Sequence, residues 1–185
     1  MLTIRVFRYK LSHEYRKNPT KPFAWENNDA HNSLDIFRVL EDGRVIFSGP
    51  AQTIANMEGL ADDTGKDYGA RYIDSLAPGP FQLRAFVEPR DFYGRIHGIC
   101  NARTLGGEEI GGDCTTPSSS LRTLVHDWQK HRSSGPAGRD TRVAWSAACL
   151  VLPDKDIDSL GVLFDGHGIQ PGDLIDGELI EEGES

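Results

Sequence analysis

The 185-residue chain reads as a mostly β domain of the β-rich α+β class, and three observations predict it. Short runs of β-branched and aromatic residues alternate with polar ones in the period-two manner of strands. Frequent turn punctuation separates those runs, with 20 glycines and 10 prolines in the chain. Only one segment carries a clear helical period. The length matches one domain of roughly 100–200 residues, enough to bury a core. The organisation expected is a single domain over 1–185: N-terminal strands and a hairpin over 1–75, a chemistry-bearing part over 76–177, and an acidic tail over 178–185.

The first run, LTIRVFRY, is a strand with Ile4, Val6 and Phe7 packing. Next, LDIFRVLEDGRVIFSG is a hairpin, because Asp42-Gly43 accepts the positive φ angles of a type I′ turn. Ala51 to Ala61 suits a short helix. Pro78-Gly79-Pro80 punctuates the entry to PFQLRAFV, and RIHGIC, TRVAWSAACLVL and GDLIDGELIEE are further strands. Between them, Leu121, Leu124, Val125 and Trp128 recur at i, i+3, i+4 and i+7 behind the capping serines Ser118–Ser120. This predicts a helical insertion at about 118–132. A last short helix is expected from Asp154 to Phe164, before turns at Gly168 and Pro171. The end, GELIEEGES, is expected to fray after the final strand.

Lys and Arg number 20 and Asp and Glu 28, a net charge of −8, which argues against a nucleic-acid partner. A membrane span needs about 20 apolar residues in a row. The longest apolar stretch, Val143 to Leu152, is much shorter and is interrupted by Ser146. The amino-terminal stretch has charges inside its apolar part and reads as a strand, not a secretory signal. The expectation is a soluble chain with no membrane span and no visible signal peptide, cytoplasmic as written or delivered to the periplasm or cell envelope by a secretion or phage apparatus.

Three cysteines cannot all pair within one chain. Cys149 sits among small residues, where Ala147 and Ala148 let a substrate backbone approach a thiolate and Ser146 can donate a hydrogen bond. The alternative is that Cys149 fills core space. A thiolate nucleophile needs a neighbouring base or cation. His97, between Ile96 and Gly98 on an expected central strand, is the best-placed histidine, and it is equally readable as a core imidazole. His13, His31 and His167 read as surface residues, and His126 and His131 as solvated residues of the inserted helix. A zinc set of His97, Cys100, Cys114 and Cys149 is the weaker reading. Its ligands do not come as two close pairs, and on a strand His97 and Cys100 face opposite ways. No metal or cofactor is expected. Gly106-Gly107 and Gly111-Gly112 lack the Lys-Ser/Thr of a phosphate loop.

PGPFQLRAF, RIHGI, SAAC at 146–149, and DKDIDSLGVLF followed by GIQPGDLI occur in one order. That order resembles the catalytic domain of L,D-transpeptidases of the YkuD type, over about residues 76–177. The resemblance implies a β-sandwich or barrel that handles peptidoglycan stem peptides through a cysteine acyl-enzyme. Cys149 matches the nucleophile, Ser146 the motif serine, and His97-Gly98 the upstream histidine-glycine pair. Ala147 and Ala148 stand where the family has histidine and glycine, so activation of Cys149 falls to His97. The arginine or asparagine that commonly follows the cysteine is replaced by Leu150-Val151-Leu152. Backbone N–H groups near Ala148 and Cys149 then serve the oxyanion. Arg95, Arg103 and Arg142 are candidates for substrate carboxylates, and the inserted helix, with Arg122, His126 and Trp128, for a lid. A non-catalytic module on the same fold is the alternative. Cys100 and Cys114 are left as bystanders, with their pairing open.

Overall fold

The computed structural model describes residues 1–9, 35–51, 53, 75–88, 96–114, 124–127, 150–152 and 154–182. Among these, the elements in chain order are β1 (Leu2–Tyr9), β2 (Asp35–Glu41), β3 (Arg44–Ala51), β4 (Gly79–Glu88), β5 (Ile96–Cys100), β6 (Ala102–Arg103), β7 (Glu109–Ile110), β8 (Leu124–Asp127), β9 (Leu150–Leu152), α1 (Asp154–Gly166) and β10 (Leu174–Glu182). The protein is mostly β. Eight strands form one mixed sheet in the order β3-β2-β1-β10-β4-β5-β8-β9, and β6 pairs with β7 in a small second sheet. The β1–β10 and β8–β9 pairs are parallel and the other neighbours antiparallel. The end strands β3 and β9 come within 8 Å of each other at their Cα atoms, so the sheet curls towards closure instead of splitting into two facing layers.

Period-two alternation selects the core face. Ile4 and Val6 of β1, Phe37 and Val39 of β2, Phe81 and Leu83 of β4, Ile99 of β5, and Ile175 and Leu179 of β10 form one buried cluster. Helix α1 adds Ile157, Leu160 and Phe164, at the spacing of a helical face, while Val162 on its other side is 60% exposed. Asp156 and Asp158 in its first turns favour the positive end of the helix dipole. Its carboxyl end closes in a Schellman arrangement: Ile169 N–H donates to the Phe164 carbonyl at 3.0 Å, and Gly168 N–H to that of Asp165 at 3.0 Å. Gly168 takes the left-handed conformation this requires, with φ 72°. Asp42 and Gly43 have φ 49° and 83°, the two positive angles of the expected hairpin turn.

Two expectations need correction. The segment 118–132 was expected as a helix, yet Leu124–Asp127 is strand β8. It pairs antiparallel with His97-Gly98 and parallel with β9. The edge of β5 offers backbone groups that need partners, and satisfying them outweighs the helical period of Leu121, Leu124, Val125 and Trp128. The 178–185 tail is the second: its part up to Glu182 belongs to β10, as the strand run GDLIDGELIEE itself predicts, and pairs with β1 up to Tyr9. The remaining residues of 118–132 and nearly all of the Ala51–Ala61 segment lie outside the described residues. Ala51 itself ends β3.

Candidate functional site

Of the residues singled out for chemistry, His97, Gly98 and Arg103 are described, and Arg103 is an exposed residue of β6 that donates from Nη2 to Glu109 Oε1 at 2.6 Å. Cys149, Ser146, Ala148, Arg95 and Arg142 lie outside the described residues. His97 is 0% exposed and points to the core face, like Ile99 two residues on. Its ring packs between Phe86, at a centroid distance of 5.0 Å, and Phe164 of α1, at 5.1 Å. The backbone N–H of Phe86 donates to Nδ1 at 3.2 Å. An N–H pointing into Nδ1 requires that nitrogen to be unprotonated, so the neutral ring is the Nε2–H tautomer.

Phe86 is itself irregular. The β4–β5 pairing slips between Arg84 and Glu88, and Phe86 has φ 47°. A bulky aromatic residue in the left-handed region is strained, and the strain aims its N–H and its ring at the imidazole. The neighbouring register extends the site. His97 pairs with Val125 and Val125 with Leu150, so the residue that follows Cys149 lies in the row of His97 two strands away. Two strand spacings are about 10 Å.

On the opposite face of β5 is a site that the sequence left as bystanders. Cys100 and Cys114 are both buried, and their sulfurs are 3.2 Å apart as free thiols. The Arg84 guanidinium donates from Nε to the Gly112 carbonyl at 3.0 Å, and a second donor, Nη2, reaches the same oxygen. The Cys114 thiol donates to Cys100 and holds its pKa down at about 7; burial opposes this and the Arg84 charge assists it. The same interaction, together with burial, pushes the Cys114 thiol up. His97 and Cys100, on opposite faces of one strand, cannot share a metal ion.

A second buried polar group lies on β1. Arg8 is 0% exposed, at the next inward position after Ile4 and Val6. Its Nε and Nη2 donate to the Thr53 hydroxyl and carbonyl, each at 2.8 Å. The Thr53 hydroxyl donates in turn to buried Asp35, and Glu181 stands 3.9 Å from Arg8. Strict alternation along β1 was the available signal. His167, expected at the surface, is exposed and faces Glu41 at 3.4 Å across a cleft of about 530 Å³ lined also by Met1, Leu174 and Asp176. Among the described residues no helix is long and apolar enough to cross a membrane.

Together these features define a curled, mostly β sheet with one helix, carrying a clamped histidine on one face of β5 and a dithiol on the other. No protein-family model matches the chain. It is 36% identical over 185 residues to a protein of Treponema pallidum (strain Nichols) described as uncharacterized, an alignment covering 96% of this chain and 79% of that one. The chain belongs to the family of that protein.

Proposed function

We propose that the chain is a cysteine-dependent acyltransferase or hydrolase of peptidoglycan stem peptides, with Cys149 as nucleophile. The observation that supports this reading most is the register His97–Val125–Leu150, in which β8 alone lies between the histidine-glycine strand and the strand that follows Cys149. The strained bulge at Phe86 adds support, since bulges and left-handed bulky residues gather where a side chain must be aimed. With Nδ1 engaged by Phe86, the Nε2–H edge of His97 is the one that assists the thiolate, as a hydrogen-bond donor.

In the reaction, the Cys149 sulfur attacks a peptide carbonyl, a C–S bond forms, and the C–N bond breaks as the amine leaves with a proton. Water or an acceptor amine then attacks the thioester and restores the thiol. Backbone N–H groups near Ala148 and Cys149 hold the oxyanion, and Ser146 donates alongside them. Gly98 leaves room for substrate, and Arg95 and Arg142 bind its carboxylates. This substrate lies outside the cytoplasmic membrane, so the reading entails that the chain works in the cell envelope. The test is incubation with a tetrapeptide stem followed by intact-mass analysis. A thioester adduct in the wild type that is missing in Cys149→Ala supports the enzyme; no adduct and no turnover with stem peptides or intact sacculi would sink it.

A second reading, a non-catalytic module on the same fold, is favoured by the complete burial of His97 and the commitment of its Nδ1 lone pair to the backbone. Stoichiometric binding of stem peptide without turnover, unaffected by Cys149→Ala, would select it.

A further inference from the structure

Cys100 ends β5, and the chain then turns at Asn101, where φ is 50°, into the β6–β7 hairpin. It returns through a turn in which Cys114 N–H donates to the Gly111 carbonyl at 3.1 Å. Cys114 has φ 69°, an angle that disfavours any side chain bearing a Cβ. Two left-handed non-glycine residues flank the hairpin, and the thiols of Cys100 and Cys114 at its two ends meet at 3.2 Å across 14 positions of sequence. Arg84, inserted from β4, ties the returning turn down through the Gly112 carbonyl. Its cation sits beside the thiols, the setting in which a thiolate is favoured.

We infer that Cys100 and Cys114 form a reversible, peroxide-oxidisable dithiol on the face of the sheet opposite His97. Both sulfurs are buried. Local opening of the fold admits small oxidants and reductants such as hydrogen peroxide and dithiothreitol to them. The Cys100 thiolate attacks one peroxide oxygen; the S–O bond forms, the O–O bond breaks, and hydroxide leaves and is protonated to water. Cys114 then loses its proton and attacks the Cys100 sulfur; the S–S bond forms and a second water leaves. Two thiols supply two electrons, and one peroxide becomes two waters. A dithiol reductant reverses the change.

The experiment treats the reduced, folded full-length chain with hydrogen peroxide near neutral pH, quenches with an alkylating agent, and maps peptides by mass spectrometry. The expected product is a Cys100–Cys114 linked peptide pair, two hydrogens lighter than the reduced pair, which dithiothreitol returns to two alkylatable thiols without unfolding. In Cys114→Ser, Cys100 is expected to collect oxygen adducts instead. The wild-type mapping stands alone if that variant fails to fold. Three outcomes would overturn the inference: both thiols still alkylatable after peroxide has consumed glutathione at equal concentration, Cys100 stopping at the sulfinic acid with Cys114 reduced, or a link that dithiothreitol cannot open in the folded protein.

Discussion

Gly177 lies opposite Phe81 across the β10–β4 pairing, with the phenyl ring folded over it. A Cβ on Gly177 would stand 2.5 Å from two ring carbons. Gly177→Ala is expected to destabilise the protein by about 1–3 kcal/mol through overpacking. Phe81→Leu in the same chain should recover part of that loss, and urea unfolding of the double-mutant cycle measures the coupling. Additive effects would mean the ring and the glycine do not constrain each other.

The buried Arg8–Thr53–Asp35 network predicts an asymmetric response. Asp35→Ala removes the buried anion that the Thr53 hydroxyl links to the fully buried Arg8 guanidinium and is expected to cost about 3–5 kcal/mol. Thr53→Val removes the hydroxyl that links the two and should cost about 1–3 kcal/mol. Chemical denaturation of both variants checks the order; a larger loss for Thr53→Val contradicts it.

Gly168 closes α1 with φ 72° and has nothing within 4 Å of where a Cβ would stand. Gly168→Ala therefore isolates backbone conformation from packing. A loss of about 1 kcal/mol is expected in thermal or urea unfolding, and no loss would show that the helix end relaxes to another cap.

The hydrogen bond from Phe86 N–H to His97 Nδ1 fixes a tautomer. Nitrogen-15 spectra of the imidazoles should give His97 an Nε2–H, Nδ1-unprotonated pattern. His97→Asn, whose carbonyl oxygen can take the place of Nδ1, should be less destabilising than His97→Leu, which leaves the Phe86 N–H without its acceptor. Equal stabilities of the two variants would remove that bond from the account.

The dithiol predicts a pH profile. Cys100, held at about 7 by the Cys114 thiol with help from Arg84, is a thiolate over a range where an ordinary cysteine is still protonated. A lowered thiol pKa means reactivity that grows as pH rises through about 7 and levels off above it. The rate of disulfide formation with peroxide should follow that curve. A midpoint near the ordinary thiol value of roughly 8.5 would contradict it.

Legibility in the sequence followed the range of the interactions. The Asp42-Gly43 turn and the Asp154–Gly166 helix were readable because their signals are local: a dipeptide that tolerates positive φ, and an apolar stripe ending at a glycine. Strand β8 was not, because Leu124–Asp127 takes its conformation from backbone partners on β5 and β9 that lie far off in the chain. The burial of His97 and its opposition to Cys100 were implied by alternation along β5, whereas the strained bulge that clamps the ring depends on a register slip no composition reveals. The Cys100–Cys114 meeting depends likewise on left-handed turns at Asn101 and Cys114, of which only the asparagine is a residue inclined to that region. Arg8 could have been placed inward by counting from Ile4 and Val6, against the ordinary expectation that an arginine faces water.

Strand β10 is late in the chain and central in the sheet, between β1 and β4. Without it, β3-β2-β1 and β4-β5-β8-β9 are two separate ribbons, each with an unpaired edge. The sheet therefore cannot close during synthesis until Leu174–Glu182 has left the ribosome. Its assembly joins segments about 170 positions apart, as in the Ile4–Gly177 pairing, which slows folding relative to proteins built from local contacts. Until then both edges are open to pairing with other chains, so crowding of nascent copies is the stage at which this protein is most exposed to aggregation.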